Sequence, residues 1–233
     1  MNQLLEKVVF LDIETVPQKQ SFEELEAVEQ QFWTKKASQI SKKEEPPAEL
    51  YQRAGIYAEF GKIVCISVGK VAPKEPSIFI LQSFLEDDER LLLQKFKKFL
   101  ESNSNHLLCA HNGKEFDFPY IARRMLIHGI GLPKQLNLAG KKPWEIPHLD
   151  TLELWKFGDY KHYTSLDLLA YLFKIPSPKQ QTSGEMVYDL WWNKKDKKRI
   201  RDYCELDTLT VAQLYCAFNN ITGFSEDHIE RKR

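Results

Sequence analysis

The sequence predicts one α/β domain in which a mixed five-stranded sheet carries helices on both faces. Apart from a helical excursion over about residues 20–58, three strands are followed by a helix and then by strands that alternate with helices. This order is typical of a sheet that begins antiparallel and continues parallel. The chain has 233 residues, 42% of them apolar, which suffices for one large core. We expect a single domain over residues 1–220 and a polar, frayed tail over residues 221–233.

The first half of the chain contains the antiparallel strands. Residues 7–13 are rich in Val, Phe, Leu and Ile, which predicts the first strand. Residues 62–71 and 77–82 predict two more, separated by a turn that contains prolines. Residues 21–37 have apolar side chains at helical spacing, and the polar residues 38–56 complete the excursion.

The second half alternates helices with short strands, as apolar spacing and turn residues indicate. The predicted elements are a helix over 86–101, a strand over 106–110, a helix over 117–128, a strand over 147–151, and helices over about 165–173 and 197–218.

Composition excludes several classes of protein. Lys+Arg and Asp+Glu both number 33, so any surface for nucleic acid must be local. No stretch reaches the length of a membrane span, and the N-terminus has no signal-peptide pattern. The four cysteines form no CxxC pair, which is typical of reduced thiols. We therefore expect a cytoplasmic protein without a membrane partner.

The first candidate motif ends the first strand. Side chains alternate faces along a strand, so Val8, Phe10, Asp12 and Glu14 share one face, where two apolar residues are followed by two carboxylates. Buried acids are costly unless something pairs with them. The alternative is that the strand leaves the core at Asp12 and that both acids are solvated, and the nearby Pro17 is compatible with either interpretation.

The second candidate motif follows the strand at 106–110. Asn112 and Gly113 form a turn signal, and Pro119 suits the first turn of the next helix. Asp117 then lies at or near the start of that helix. It could serve only as a helix cap. It could also present its carboxylate beyond the carboxyl end of a strand, where α/β sheets commonly bind ligands.

The third candidate motif lies on the last long helix. Asp207 follows Tyr203 by four residues, so both side chains share one helix face, and Asp207 lies within the apolar stripe of this helix. We therefore expect both to point toward the sheet. A buried Tyr–Asp hydrogen bond without catalytic meaning is the alternative.

Together, the three motifs resemble those of the DEDD superfamily of 3′–5′ exonucleases, in its DEDDy subgroup, over about residues 6–218. The matching residues are Asp12 and Glu14, then Asn112 and Asp117, and then Tyr203 and Asp207. Within this superfamily the chain resembles the predicted stand-alone exonucleases related to the proofreading domain of family B DNA polymerases. The residues that carry this closer likeness are Glu59–Cys65, His148–Thr151, Gly158–Lys161 and Ser165–Asp167.

The resemblance implies a ribonuclease H-like fold and two divalent ions, Mg²⁺ or Mn²⁺, in one active site. Both are hard ions that prefer oxygen ligands, and a pair of them can promote phosphodiester hydrolysis. By resemblance, Asp12 bridges the two ions, Glu14 and Asp207 complete one ion's site, and Asp117 supports the other. Tyr203 orients the attacking water, because a hydroxyl group with a pKa near 10 is a poor base at neutral pH.

Five further residues are predicted substrate contacts: Thr15, Asn112, Phe116, Lys161 and Ser165. Lys161 lies among tyrosines, and aromatic rings beside a cation suit single-stranded nucleic acid. Asn112 could serve only its turn, Phe116 could pack in the core, and Ser165 resembles a helix cap. The basic residues of the run 194–199 could be a solvated face or contact phosphates.

The sequence thus predicts a metal-dependent 3′–5′ exonuclease that degrades single-stranded nucleic acid from 3′ ends, with DNA favoured over RNA, and releases nucleoside monophosphates. One alternative is a non-catalytic or accessory nucleic-acid-binding module that keeps the exonuclease fold. Another is an acid cluster with a structural role in an unrelated α/β protein, which does not explain three ordered motifs. No protein partner can be predicted from the sequence.

Overall fold

The computed structural model describes residues 5–41, 45–73, 75–159, 163–176 and 184–232. The strands are β1 (Val8–Pro17), β2 (Gly61–Ala72), β3 (Glu75–Phe84), β4 (Leu107–Ala110), β5 (Leu149–Asp150) and β6 (Ile229–Lys232). The helices are α1 (Ala27–Ile40), α2 (Glu89–Ser102), α3 (Asp117–Ile127), α4 (Thr151–Lys156), α5 (Leu166–Leu172), α6 (Gly184–Tyr188) and α7 (Lys197–Phe218). A π-helical turn, Asp189–Asn193, joins α6 to the segment that leads into α7.

The strands form one mixed sheet in the order β5-β4-β1-β2-β3-β6. β2 is antiparallel to both β1 and β3, whereas β4 and β5 continue from β1 in parallel. The predicted mixed sheet, with an antiparallel beginning and a parallel continuation, is therefore confirmed. The carboxyl ends of β1, β4 and β5 meet at one edge of the sheet, which we call the upper edge.

The sheet has one strand more than the five that the sequence predicts. β6 pairs in parallel with β3, from Phe79 opposite Ile229 to Gln82 opposite Lys232. The prediction of a frayed tail is thus wrong for residues 229–232. An edge strand needs only backbone pairing, and charged side chains are common there. Ile229 alone in β6 packs against the core, so the strand shows no apolar alternation.

Helices cover both faces of the sheet, as predicted. Val8 and Phe10 of β1 pack on the face that α7 covers, together with Val211 and Tyr215 of α7. The alternate residues, such as Val9 and Leu11, face the core that α2 and α3 form on the other side. Because side chains alternate along β1, Asp12 and Glu14 continue the face that α7 covers.

The excursion between β1 and β2 packs around Trp33, which is fully buried. The helix that the sequence predicts over residues 21–37 is a 3₁₀ turn at Phe22–Glu24 followed by α1. Phe32 is one of the apolar residues at helical spacing in the predicted helix, and its side chain is 63% exposed. None of the helices in the described part of the chain has the length and apolarity that a membrane span requires.

Candidate active site

Two acids lie at the upper end of β1. Asp12 pairs with Ser67 of β2, and Glu14 pairs with Cys65. The register shifts immediately after Glu14, because β2 contains one extra residue there, and such bulges re-aim side chains. Glu14 is only 8% exposed, so the alternative that both strand-end acids are solvated fails for this residue.

Asp117 reaches β1 from the start of α3. β4 pairs only with Val8–Phe10, so the edge of β1 beyond Phe10 has no strand partner on that side. The backbone N–H groups of Ile13 and of Asp117 itself both lower the pKa of the Asp117 carboxyl group, so this side chain faces β1 there. Asp117 therefore fills the free edge of β1 between Asp12 and Glu14, and its side chain is buried.

α7 brings the remaining predicted residues over the same end of β1. The hydroxyl group of Tyr203 donates a hydrogen bond to the buried carboxylate of Asp207. Cys204 donates its thiol hydrogen to the carbonyl oxygen of Asp12, at 3.3 Å from Sγ. One carboxylate oxygen each of Asp12 and Glu14 and the Sγ of Cys204 all lie within 4.8 Å of one another.

The four acids influence one another electrostatically. Burial raises the pKa of Asp12 and of Glu14 well above the usual range, and the charges of Asp207 and Asp117 raise both further. Burial raises the pKa of Asp117 to about 8, against the hydrogen bonds it accepts. It raises the pKa of Asp207 to about 7, against the hydrogen bond from Tyr203. The metal-free cluster therefore resists being fully ionised.

This donor set suits hard divalent ions. Among the described residues, no ion pair joins any of the four acids to a lysine, arginine or histidine. The Oγ of Ser67, opposite Asp12, is buried and has no hydrogen-bond partner among them. Carboxylate oxygens without a cationic partner are the ligands that Mg²⁺ and Mn²⁺ prefer. The arrangement thus fits the metal ions that the resemblance implies.

Two predicted substrate contacts, Thr15 and Phe116, lie next to Tyr120. The hydroxyl group of Thr15 donates a hydrogen bond to that of Tyr120, which in turn donates to the carbonyl of Gly55 at 2.8 Å. Phe116 is half-buried, and its ring centroid lies 5.3 Å from that of Tyr120. Packing thus accounts for much of the Phe116 side chain, as the alternative interpretation held.

Asn112 adopts a left-handed conformation, with φ of 62°, in the turn that the sequence predicts. Its N–H donates to the carboxylate of Asp150 at 2.9 Å, so the turn is held from β5. Ser165 caps α5 by accepting a hydrogen bond from the N–H of Leu168, which confirms the cap. Lys161 lies outside the described residues.

Asp150 is a buried acid whose role the sequence prediction missed. Its carboxylate also accepts the N–H of Lys114 at 3.1 Å and caps α4 by accepting the N–H of Leu152. It thus fixes the loop that leads to Asp117, whose pKa it raises. The sequence does contain a signal for this role, because Asp150 lies at the end of a predicted strand, and an acid directly before a helix often caps it.

Tyr163 is an exposed aromatic residue close to the acids. Its side chain is 66% exposed, and its ring centroid lies 6.2 Å from that of His111. Partial burial raises the pKa of Tyr163, and the charge of Asp117 raises it further. His111 anchors the neighbouring backbone, because its Nε2 lies 2.9 Å from the carbonyl oxygen of Thr164.

Comparisons with known proteins agree with this fold. A family model described as a predicted 3′–5′ exonuclease related to the exonuclease domain of PolB matches residues 56–232. The matched span includes Asp117, Tyr203 and Asp207 and begins after Asp12 and Glu14.

Among solved structures, the chain is similar to the family B DNA polymerase of the hyperthermophilic archaeon Pyrobaculum calidifontis, with 16% sequence identity and a TM-score of 0.55. The similarity covers 90% of this chain and 24% of the polymerase chain. It shows a shared ribonuclease H-like fold. No curated protein matches the sequence.

Proposed function

The chain belongs to the family of predicted 3′–5′ exonucleases related to the exonuclease domain of PolB, and we propose on this basis that it removes nucleotides from the 3′ ends of single-stranded nucleic acid. We propose DNA as the favoured substrate and nucleoside monophosphates as products. The observation that carries the proposal is the convergence of four acids from β1, α3 and α7, which have no cationic partner among the described residues.

In this proposal the four acids hold two divalent ions, Mg²⁺ or Mn²⁺. Besides burial, the charges of the other three acids all raise the pKa of Asp12, and Asp12 would be a ligand shared by both ions. Glu14 and Asp207 would complete the ligands of one ion, and Asp117 would support the other. When bound, the ions supply activation of water and neutralise charge on the attacking and leaving oxygens. Because each acid is held on a strand or helix, the ligands are positioned before the ions bind.

Tyr203 has a positioning role in this mechanism. Its hydroxyl group donates a hydrogen bond to Asp207, and the residue as a whole is half-buried. A tyrosine hydroxyl both donates and accepts hydrogen bonds. It therefore fixes the orientation of the attacking water beside Asp207 without having to remove a proton itself.

The residues around the acids suit an unpaired strand end. Tyr163 offers an exposed ring close to Asp117, on which a base can stack, and stacking is tolerant of base identity. We propose that Asn112, Thr15 and Phe116 border the terminal nucleotide, on the turn and the strand end that surround the acids. A duplex end would have to open before its bases could stack in this way.

The proposal is tested with an oligonucleotide labelled at its 5′ end, incubated with the protein and Mn²⁺, and with the same strand labelled at its 3′ end. We expect a ladder of 5′-labelled fragments that shorten from the 3′ end and early release of the 3′ label as a mononucleotide. A closed circular single strand is the control and should remain intact. Equal cleavage of the circle would contradict an exonuclease, and binding without any cleavage would favour the non-catalytic module.

A further inference from the structure

A groove at the carboxyl end of β3 is lined by six basic side chains from three elements. They are Lys95 and Lys98 of α2, Lys197, Lys198 and Arg201 of α7, and Lys232 of β6. The carboxyl end of β3, from Gln82 to Phe84, and the two residues that follow it form the floor between α2 and α7. The groove therefore lies outside the acid cluster, and β6, which the sequence did not predict, contributes to it.

Acids near the groove only partly balance these cations. The ion pairs are Lys95 with Glu86, Lys197 with Asp87, Lys198 and Arg201 with Asp202, and Arg201 with Glu205. Six cations against four acids leave a net charge of +2. Lys98 and Lys232 are exposed and make no ion pair with a described residue. Ion pairs between exposed side chains contribute little to stability, so these cations can readily exchange their acidic partners for other anions.

The groove is close to the acids and fixed relative to them. Asp12 pairs with Ser67, and Ser67 pairs with Ser83 on the groove floor, so Asp12 and Ser83 lie in one row across three strands. Two strand spacings separate their backbones by about 10 Å. Ser83 donates a hydrogen bond to the buried carboxylate of Glu205 at 2.7 Å, which ties α7 to β3.

Glu205 also orients two arginines at this side of α7. Its carboxylate oxygens lie 3.9 Å from Nε of Arg201 and 3.7 Å from Nε of Arg231 in β6. The same helix thus presents Tyr203 and Asp207 to one side and Arg201 to the other. Lys197 and Lys198, which also line the groove, lie at the amino end of α7, one to two turns before Tyr203.

We infer that this groove binds the phosphate backbone of the nucleic-acid strand upstream of the 3′ end that the acids hold. This inference rests on the proposed function. The groove brings six cations from three elements together, and its floor includes Ser83, which lies in the same row across the sheet as Asp12. Neutralising phosphates with Lys and Arg releases counterions, which gives sequence-independent affinity. Such binding suits an enzyme that must hold any sequence.

The experiment compares the double variant Lys98→Gln/Lys232→Gln with wild type. Binding of a labelled single strand of roughly 16 nucleotides is measured by fluorescence anisotropy in chelator, so that nothing is cleaved, over a range of salt concentrations. Each phosphate contact contributes about −0.7 to the slope of log affinity against log salt. Loss of two contacts should therefore flatten the slope by about 1.4 and weaken binding about 25-fold at about 0.1 M salt.

Two further variants keep the result interpretable. Lys7→Gln/Lys134→Gln removes two exposed lysines that do not line the groove. This variant should bind the strand as wild type does. Lys98→Arg/Lys232→Arg keeps both charges and should also bind normally. Because all four positions are exposed, these variants should melt as wild type does.

Unchanged affinity and salt slope in Lys98→Gln/Lys232→Gln would overturn the inference. The same result is expected if the groove binds an acidic protein surface and not nucleic acid. The labelled-strand cleavage assay, run on the same wild-type preparation, reports on the proposed function separately. If wild type cleaves the strand but Lys98→Gln/Lys232→Gln binds it as tightly as wild type does, only the inference about the groove is overturned. Groove-dependent binding without cleavage overturns only the proposed function and supports the groove as a strand-binding site.

Discussion

The hydroxyl group of Tyr203 donates a hydrogen bond to the carboxylate of Asp207, one turn further along α7. This bond lowers the pKa of Asp207, whereas burial raises it, and the outcome is a pKa of about 7. Tyr203 therefore helps to keep Asp207 ionised and oriented at neutral pH. The pair links the packing of α7 on β1 to the chemistry proposed for the site.

Tyr203→Phe removes this hydrogen bond and keeps the ring. We expect the pKa of Asp207 to rise in the metal-free protein, Mn²⁺ binding to persist, and the cleavage rate to fall about 10- to 100-fold, because hydrogen bonds to charged groups contribute about 1.5–3 kcal/mol. Carboxyl-carbon NMR titration, Mn²⁺ titration and single-turnover cleavage measure the three quantities. Loss of Mn²⁺ binding as complete as in Asp207→Asn would show that Tyr203 serves only to hold Asp207.

Asp207→Asn removes a buried charge from a cluster of like charges. We expect the metal-free variant to melt at the same or a higher temperature than wild type at pH 8, because burial and neighbouring acids disfavour the ionised form. The increase in melting temperature on adding Mn²⁺ should shrink, and cleavage should fall by several orders of magnitude. Asp227→Asn, at an exposed acid, is the control. A sharp loss of metal-free stability with persistent cleavage would make Asp207 a structural acid.

The stability of the metal-free protein should depend on pH. Asp207 and Asp117 have folded pKa values of about 7 and about 8, against an ordinary 3.8, so the folded state retains protons that the unfolded chain releases. This contribution is full below about pH 4 and is lost as pH rises through 7 and 8, at up to about 1.4 kcal/mol per pH unit and group.

Denaturant titrations in chelator at a series of pH values measure this dependence. The free energy of unfolding should fall as pH rises from 5 to 8, and Asp117→Asn should fall less steeply than wild type. Saturating Mn²⁺ should reduce the dependence, because metal binding requires deprotonated ligands. Identical slopes for wild type and Asp117→Asn in chelator would show that Asp117 is not the group that titrates.

Asp150→Ala should destabilise the protein more than loss of an ordinary helix cap does. The Asp150 carboxylate accepts N–H groups from Asn112, Lys114 and Leu152, and the variant leaves these donors without it. We expect a loss of roughly 2–4 kcal/mol in the free energy of unfolding, against about 1 kcal/mol for Asp88→Ala at the exposed cap of α2. Equal losses would show that Asp150 acts only as a cap of α4.

Much of the fold and part of the site geometry follow from local periodicity. Strand alternation predicts that Asp12 and Glu14 face the same side as Phe10, and helical spacing predicts that Tyr203 and Asp207 share a face. Both rules are short-range and hold wherever the element forms. The mixed sheet follows from the order of the elements and is confirmed, and the catalytic roles of these residues remain predictions.

Long-range features could not be predicted in this way. Asp117 reaches β1 only because β4 separates from it beyond Phe10, which no local pattern encodes. β6 forms through backbone pairing at an edge, with Ile229 as its one partly buried side chain. Cys204 and Tyr203 are neighbours on α7, and only the packed structure shows that the thiol contacts Asp12 while the hydroxyl group contacts Asp207.

The most direct measurement starts from protein that has been stripped of metal with a chelator. Mn²⁺ is then added back, and the number of bound ions and the cleavage of a single strand are measured in parallel. Two ions per chain are expected, with cleavage returning as they bind and a large loss of both binding and cleavage in Asp12→Asn. Cleavage that survives exhaustive chelation, or Mn²⁺ binding and cleavage that are unchanged in Asp12→Asn, would contradict a metal-dependent exonuclease built on these four acids.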